Sequence, residues 1–315
     1  MTDLVTLGET MALISAAHPG PLRHAREMTL GIGGAESNVA IGFTRLGGNA
    51  AWIGRVGDDE LGRLVLRELR AEAIDISHAR TDPSAPTGLM IKERRTRGHT
   101  SVHYNRSGSA GSRLRPDDID PQLVRAARIL HVTGITPALG DDARAAVQHA
   151  MDLAKSASVT VSFDVNLRTL PWDGADAREV LRQLAASADI LFATDAEARL
   201  LLNTPVDGGG AAQLAELGPR HAILKRGADG ALACLDGEIC EQAALPVSVA
   251  DPVGAGDAFV AGFLSALNDG RPPRHALARA AATAAFVVAT PGDWEGMPTA
   301  SELDNITAVA DDVRR

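Results

Sequence analysis

The sequence predicts an α/β protein built in three layers: a mostly parallel central sheet, helices on both of its faces, and a small β-lid over one edge. Short β-like runs alternate with segments of helical period, which is how a parallel sheet with crossover helices reads in sequence. Two stretches, residues 11–30 and 87–106, break that rhythm and supply the lid. No repeat, low-complexity tract or linker interrupts the alternation. All 315 residues therefore read as a single domain, with the lid formed by about residues 11–34 and 87–113 within it.

Taken in order, residues 4–7 and 51–53 read as strands. After them Leu61, Leu64, Val65 and Leu69 share one helical face, with Asp58 as the N-cap. Residues 129–132 form a strand, and Ala143, Ala146, Val147, Ala150, Met151 and Ala154 make the apolar stripe of the next helix. Strands at 159–163 and 190–193 follow, then a helix over 196–202, a strand at 222–225, and a helix over 258–267 ended by Gly270 with Pro272 and Pro273 beyond it. Residues 87–106 divide into two strands around Arg97-Gly98, a hairpin turn. A hairpin inside a parallel α/β chain sits apart from the main sheet, over the carboxyl edge where such folds bind ligands.

Composition narrows the functional classes. With 31 Lys and Arg against 40 Asp and Glu, the net charge of −9 excludes a nucleic-acid surface, which needs a basic face. The start of the chain has no basic region leading into an apolar stretch, and its apolar runs fall short of the roughly 20 residues that span a bilayer, so the expectation is a cytoplasmic protein without membrane partners. The two cysteines, Cys234 and Cys240, flank Asp236-Gly237, a two-residue hairpin signal. In that register Cys234 faces Ile239 and Cys240 faces Ala233, so the thiols point to opposite faces and stay unpaired. His99 and His103, four apart in a strand, lie about 13 Å from each other, too far to share a metal.

The strongest chemical signal is the run from Asp251 through Pro252, Val253, Gly254, Ala255, Gly256, Asp257 and Ala258 to Phe259. Residues 245–249 before it are strand-like, and a helix follows. Two glycines at such a turn let backbone N–H groups converge, and the helix N-terminus adds positive potential, which suits a phosphate. A carboxylate in the first helical turn lies beside that phosphate, and the helix end favours its ionised, basic form. Local chemistry alone also allows Asp257 to be a plain helix cap and the glycines plain turn residues.

This run resembles the C-terminal signature of the ribokinase-like (PfkB) carbohydrate kinases. The resemblance continues in Gly33-Gly34-Ala35-Glu36-Ser37-Asn38, in the stretch from Gly54 through Gly57 and Asp58 to Gly62, and in Lys225-Arg226-Gly227-Ala228-Asp229-Gly230. Several spaced motifs in one order are far more specific than a lone glycine pair. The resemblance implies a ribokinase-like fold and ATP-dependent phosphorylation of a sugar hydroxyl. It implies that Asp257 is the base, and that the N–H groups of Gly254, Ala255, Gly256 and Asp257 form an anion hole. It further implies that Gly34 and Asn38 touch the sugar, that Lys225, Gly227 and Gly230 lie with the nucleotide, and that Mg²⁺ is held largely through phosphates and waters. There is no Walker motif. The family's Asn-x-x-Glu appears as Thr194-Asp195-Ala196-Glu197, which keeps Glu197 for the metal, through water, and replaces Asn with Thr. Relatives carry Thr where Pro252 stands, a change confined to the turn.

The sugar is addressed by Tyr104, the chain's single tyrosine, and Arg106, which lie at i and i+2 of a lid strand and share a face. Arg168 follows the strand at 159–163. Two arginines at one pocket suit an anion, because a guanidinium pairs a carboxylate with parallel hydrogen bonds. This pattern resembles the 2-keto-3-deoxygluconate kinases, and so does the run from Gly292 and Asp293 through Trp294, Glu295, Gly296 and Met297 to Pro298, which implies Asp293 as a substrate residue. Relatives show a second Tyr where Asn105 stands. The alternative kinase readings are a phosphosugar kinase, since arginines also bind phosphate, and a fructokinase or ribokinase. A dinucleotide turn at Gly31–Gly34 is disfavoured because residues 24–30 are not strand-like, and an intact run from Gly254 to Asp257 disfavours a non-catalytic sugar sensor. Exposed lid edges lead to the expectation of a homo-oligomer paired through the lid.

Overall fold

Strand β1 (Leu4–Leu7) is buried along its whole length, as expected of a central strand covered on both faces. The computed structural model describes residues 2–96, 99–168, 172, 177–205 and 209–305. From β1 the chain passes through β2 (Met11–Ala16) and β3 (Met28–Gly33) into α1 (Ala35–Arg45), then β4 (Ala50–Ile53), β5 (Arg55–Gly57), α2 (Glu60–Ala71) and β6 (Arg80–Asp82). The pair β7 (Leu89–Thr96) and β8 (His99–Asn105) leads to α3 (Pro121–Ala126), β9 (Ile129–Thr133), α4 (Asp141–Ser156) and β10 (Thr160–Asp164). Helix α5 (Ala177–Ser187), β11 (Ile190–Thr194), α6 (Asp195–Leu202), α7 (Gly210–Ala215) and β12 (His221–Lys225) follow. The hairpin β13 (Ala231–Leu235) and β14 (Glu238–Gln242) precedes the closing pair α8 (Ala255–Asn268) and α9 (Pro273–Val288).

The main sheet runs β14-β13-β12-β11-β10-β9-β1-β4. The strands from β12 to β4 are parallel, and β13 and β14 are antiparallel at one edge. Alternate strand residues feed two cores. Leu4, Trp52, Ile129, Phe192 and Ile223 point to the side covered by α1, α2, α8 and α9. Val5, Ile53, Leu130, Leu191 and Leu224 point to the side of α3 to α7. The cysteines follow the same alternation: Cys234 pairs with Ile239 and Cys240 with Ala233 across the hairpin, and the two free thiols enter opposite cores. Asp236 and Gly237 both take positive φ, 53° and 84°, as that two-residue turn requires.

A second sheet of four strands, β3-β2-β7-β8, contains both stretches that break the rhythm of the sequence. Its turn at Arg97-Gly98 lies outside the described residues. Residues 24–30, read as unlike a strand, contribute to β3, which pairs with β2 from Met11↔Gly33 to Ala16↔Met28. Met28, Thr29 and Leu30 are exposed because β3 is an edge strand, so burial left little pattern to read. Since β3 lies outside the main parallel sheet, Gly33-Gly34 still does not form a dinucleotide fingerprint.

Three expectations are corrected. The cap of α2 is Asp59, whose Oδ1 accepts Gly62 N–H at 2.7 Å, while Asp58 pairs with Arg63 at the surface. Residues 245–249 are not a strand, because β14 already closes the sheet edge and leaves them nothing to pair with. Instead, Ala250 N–H reaches the carbonyl of Val288 at the end of α9. Helix α8 starts at Ala255, three residues earlier than the apolar run suggested.

Helix α8 is buried nearly all round and fixes the part of the fold that matters for chemistry. Glycines permit its close contacts: a Cβ on Gly42 of α1 would stand 2.7 Å from the Cβ of Ala261, and one on Gly262 would stand 2.5 Å from Thr283 Oγ1 of α9. Phe263 is fully buried and meets Phe192 edge-on at 5.4 Å between ring centroids. Phe263→Ala is expected to lower unfolding free energy by about 3–5 kcal/mol, read from urea denaturation. A loss under about 1 kcal/mol would mean that α8 is not the packed element described.

Candidate active site

The candidate site lies where α8 begins. Gly254 takes a left-handed conformation (φ 79°, ψ −9°) and packs so tightly that a Cβ there would stand 1.7 Å from Asp293 O. The N–H groups of Gly254, Gly256 and Asp257 make no hydrogen bond to another described residue, whereas Ala255 N–H turns back to Pro252 O at 3.4 Å. Three unspent donors at the N-terminus of a long helix form a nest for an anion. The positive φ needed for the turn belongs to Gly254. Gly256 has ordinary helical freedom, and a Cβ on it would face Lys225 Nζ at 3.6 Å.

Asp257, in the first turn of α8, is buried. Its Oδ2 accepts Asn38 Nδ2 of α1 at 2.8 Å, and Oδ1 lies 3.5 Å from Asn166 Nδ2. Burial pushes the carboxyl up to about 7, helped by the negative charges of Asp164 and Asp293 and opposed by the Asn38 hydrogen bond and the charge of Arg168. The helix end therefore does not hold this acid in the usual carboxylate range. Burial outweighs it, and the group titrates near neutral pH, where a general base is most effective.

Asp293 sits behind the turn. It is buried, also bonded by the Asn38 side chain, and held above the usual carboxylate range by burial. A Cβ on Gly33 would meet its Oδ2 at 2.4 Å, so Asp293 fills the space between the second sheet and the α8 turn. Trp294 Nε1 donates to Ile32 O at 3.0 Å and Arg45 stacks over its ring, which fixes this loop against β3 and α1.

Two cavities meet at the turn. The smaller, of about 70 Å³, includes Gly34, Glu36, Asn38, Tyr104, Arg106, Arg168, Gly254, Asp257 and Asp293 in its lining. The larger, of about 1150 Å³, is open and includes Asn166, Thr194, Glu197, Lys225, Gly227, Gly256 and Asp257. Gly254 and Asp257 line both. A further cleft of about 690 Å³ around Arg55, Asp82 and Arg113 holds none of the predicted residues, and Arg55 is already committed to Asp82 and Asp118.

Ion pairs fix the charges around these cavities. Lys225 Nζ grips both oxygens of Asp164, at 2.8 and 2.6 Å, and the pairing with Asp164 and other nearby carboxylates more than offsets burial, so the ammonium stays charged. Arg106 sends Nε (2.8 Å) and Nη2 (2.7 Å) to Glu9 Oε2, while Ser109 Oγ donates to Glu9 Oε1. Among the described residues the Nη1 donors of Arg106 have no partner, and Arg106 lines both cavities. Arg168 is exposed and makes no ion pair among the described residues. Glu36 is buried and accepts from Thr133 and Thr136, both at 2.7 Å.

Most of the predicted residues come together here. Gly230 does not: its Cβ position is filled by Gln242 O at 2.0 Å, so its glycine serves the turn into β13 rather than the cleft. Glu197 has each carboxylate oxygen engaged by one backbone N–H, of Thr194 and of Leu167, both at 2.7 Å. Thr194 completes a capping box with it, which is how Thr replaces the expected Asn without loss of the helix start. One lone pair remains on each Glu197 oxygen, enough for water-mediated contact with a metal. Among the described residues no three metal-ligating side chains converge, so a divalent cation here would rest on phosphate and water oxygens.

Several site residues escaped the sequence reading. Glu9, Asp164, Asn166 and above all Lys92 carry no motif. Lys92 had one signal: it alternates with Met90 on the strand opposite Tyr104 and Val102, so a charge stands alone on an otherwise apolar inner face.

Residues 1–300 match the family model of the pfkB family carbohydrate kinases. The chain is 38% identical over 310 residues to a 2-dehydro-3-deoxygluconokinase of Thermoproteus tenax, covering 97% of this chain and 94% of that protein. It is 36% identical over 309 residues to a 2-dehydro-3-deoxygalactonokinase of Haloferax volcanii, covering 96% of each. A solved structure from Escherichia coli described as a ribokinase II, in complex with ATP and Mg²⁺, superposes with a TM-score of 0.91 at 25% identity, covering 98% of this chain and 99% of that one.

The glycines provide a direct check of the turn. Gly256→Ala is expected to fold normally and to lose turnover by one to two orders of magnitude, on the scale of one anion-hole contact, about 10²-fold. Gly254→Ala, with its forbidden φ and backbone clash, is expected to fold poorly. Circular dichroism and steady-state rates decide, and unchanged turnover in Gly256→Ala would move the anion elsewhere.

Proposed function

Because the chain belongs to the pfkB family of carbohydrate kinases, we propose that it transfers the terminal phosphoryl group of ATP to the 6-hydroxyl of 2-keto-3-deoxygluconate. The observation that carries this reading is the junction itself: Asp257 and Gly254 line both the small cavity, sized for part of a sugar, and the large cleft, which can take a nucleotide. A hydroxyl in the first cavity and a phosphate in the second would meet at the N–H nest and at Asp257, among the described residues the one carboxylate that lines both.

Asp257 removes the hydroxyl proton, and Asn38 holds the carboxylate oxygen so that its free lone pairs face the sugar. The N–H groups of Gly254, Gly256 and Asp257 receive the charge that spreads over the phosphoryl oxygens. Lys225, fixed by Asp164, supplies a further positive charge on the nucleotide side. Glu197 would hold a nucleotide-bound Mg²⁺ through water, and the ion would supply charge to offset the phosphate oxygens.

Specificity is read from charge. Arg168 and the open side of Arg106 offer donors to a carboxylate, and Tyr104, 5.8 Å from the Arg106 guanidinium, walls the same end. Tyr104, Arg106 and Arg168 therefore grip the acid end, while Gly34, Asn38 and Asp293 contact the hydroxyl end. The relative that acts on the galacto epimer leaves 2-keto-3-deoxygalactonate as the second substrate to test. We place the activity in the cytoplasm, where ATP is available. We also read the second sheet as the lid, paired between subunits through its outer face, on which Met28 and Leu30 are exposed.

A substrate panel with ADP detection tests the reading, using 2-keto-3-deoxygluconate, its galacto epimer, fructose, ribose and fructose 6-phosphate. Loss of either Arg106 or Arg168 should cost about 10- to 150-fold in kcat/KM for the acid sugar, since each charged hydrogen bond contributes roughly 1.5–3 kcal/mol. A neutral sugar should lose far less. Equal losses on fructose, or a better rate with fructose 6-phosphate, would overturn the acid-sugar assignment and leave the kinase assignment standing.

A further inference from the structure

We infer that Lys92 is a positioning residue for phosphoryl transfer: carried in on β7 of the second sheet, its ammonium fixes the turn that holds the N–H nest and offsets the carboxylates behind it. Lys92 is 2% exposed. Its Nζ lies 2.8 Å from Asp251 Oδ2, donates to Gly292 O at 2.8 Å, and stands 3.8 Å from Asp293 Oδ1. The partners are 159 to 201 positions away in sequence (251 − 92 and 293 − 92), so one side chain ties the second sheet to both segments that shape the nest. Asp251 opens the turn and uses its other oxygen to accept Val253 N–H at 3.2 Å. Asp293, next to the Gly292 whose carbonyl Lys92 holds, forms the wall against which Gly254 packs.

Burying an ammonium is expensive unless charges and carbonyls surround it. Around Lys92 the same inner face carries Met11, Leu13 and Met90, with Val102 packed against them, where an aliphatic side chain would fit more cheaply. The charge is required because Asp251 and Asp293 are themselves buried, 1% and 7% exposed, directly behind a nest meant for phosphate. Without Lys92, two negative groups would stand uncompensated behind the nest, and one of them, Asp293, acts directly on Asp257. The charged groups acting on Asp257 are then Asp164 from the end of β10, Asp293 from the 292–297 loop and Arg168 after β10, with Lys225 across the cleft. Glu295 acts in turn on Asp293. Removing a cation from such a cluster raises the proton affinity of every carboxylate in it.

This inference rests on the reading of Asp257 as the base, which must be ionised to act. Activity therefore falls as pH drops through its titration near 7, and loss of Lys92 moves that fall to higher pH. The experiment is the pH dependence of the single-turnover rate with ATP, Mg²⁺ and 2-keto-3-deoxygluconate, for the wild type, Lys92→Met and Lys92→Arg. In Lys92→Met the acid limb should shift upward by about one pH unit, the effect reaching Asp257 through the uncompensated charge of Asp293. The rate at pH 7 should fall about fivefold, as the ionised fraction drops from about a half to about a tenth, with recovery at higher pH, while Lys92→Arg keeps the limb in place. An unmoved limb, or a rate lowered by one factor at every pH, would show that Lys92 only pins the sheet and would overturn the inference. Should Lys92→Met not fold, Lys92→Gln against Lys92→Arg gives the same comparison. Asp257→Asn separates the two readings: if it keeps normal turnover the base assignment itself fails, and if it is inactive while the limb stays unmoved in the lysine variants, only the role of Lys92 fails.

Discussion

A buried carboxylate at the start of a buried helix is the constraint from which the rest of this structure follows. Asp257 cannot move, because α8 is packed all round and glycines on α1 and α8 bring the helices into close contact. Its proton affinity is raised by burial and by neighbouring acids, and tempered by Asn38 and Arg168. The group has a stability consequence with a definite sign. Its folded value, about 7, lies above the ordinary 3.8, so the folded state holds a proton that the unfolded chain has released. Stability from this group is present below about pH 4 and is lost as pH rises toward 7. The fold thus gives up stability at the pH where the base must be ionised, as expected of a site shaped for reaction.

The same logic explains the ion pairs around the cleft. Lys225 with Asp164, Arg106 with Glu9 and Lys92 with Asp251 each join a cation to a buried acid at 2.6–2.8 Å. Buried pairs of this kind add little net stability over well-packed apolar residues, because desolvation consumes most of the attraction. Their value lies in placement: charges held in fixed positions before substrates arrive need no reorganisation during transfer. Each pair also joins separate parts of the chain. Arg106 and Lys92 come from or beside the second sheet, and Asp251 and Glu9 from the main body, so the sheet and the body share one electrostatic site.

Much of this was legible in the sequence. The central strands and the helices over them follow from period and burial, and the hairpin of Cys234 and Cys240 was readable down to its register because two-residue turns admit so few conformations. The α8 turn was legible as chemistry through its resemblance to a family signature, since two glycines followed by an acid also suit a plain helix cap. What was not legible depended on tertiary environment. Edge strand β3 buries too little of itself to leave a pattern, and residues 245–249 look like a strand yet have no partner. Asp257 reads as an ordinary ionised helix cap until the depth of its burial is known. Lys92 and Glu9 are single residues whose role exists only through partners far away in sequence, and no local rule reaches that distance. Gly230 shows the opposite error, a residue in a motif whose reason is a crowded turn rather than a ligand.

The central claim, that the fold raises the proton affinity of Asp257 into the neutral range, can be measured without substrate. Carbon-13 NMR of the aspartate carboxyl groups, followed across pH, with the Asp257 signal identified by its absence in Asp257→Asn, reports that titration directly. The account predicts a midpoint of about 7. A midpoint in the usual carboxylate range, near 4, would contradict it.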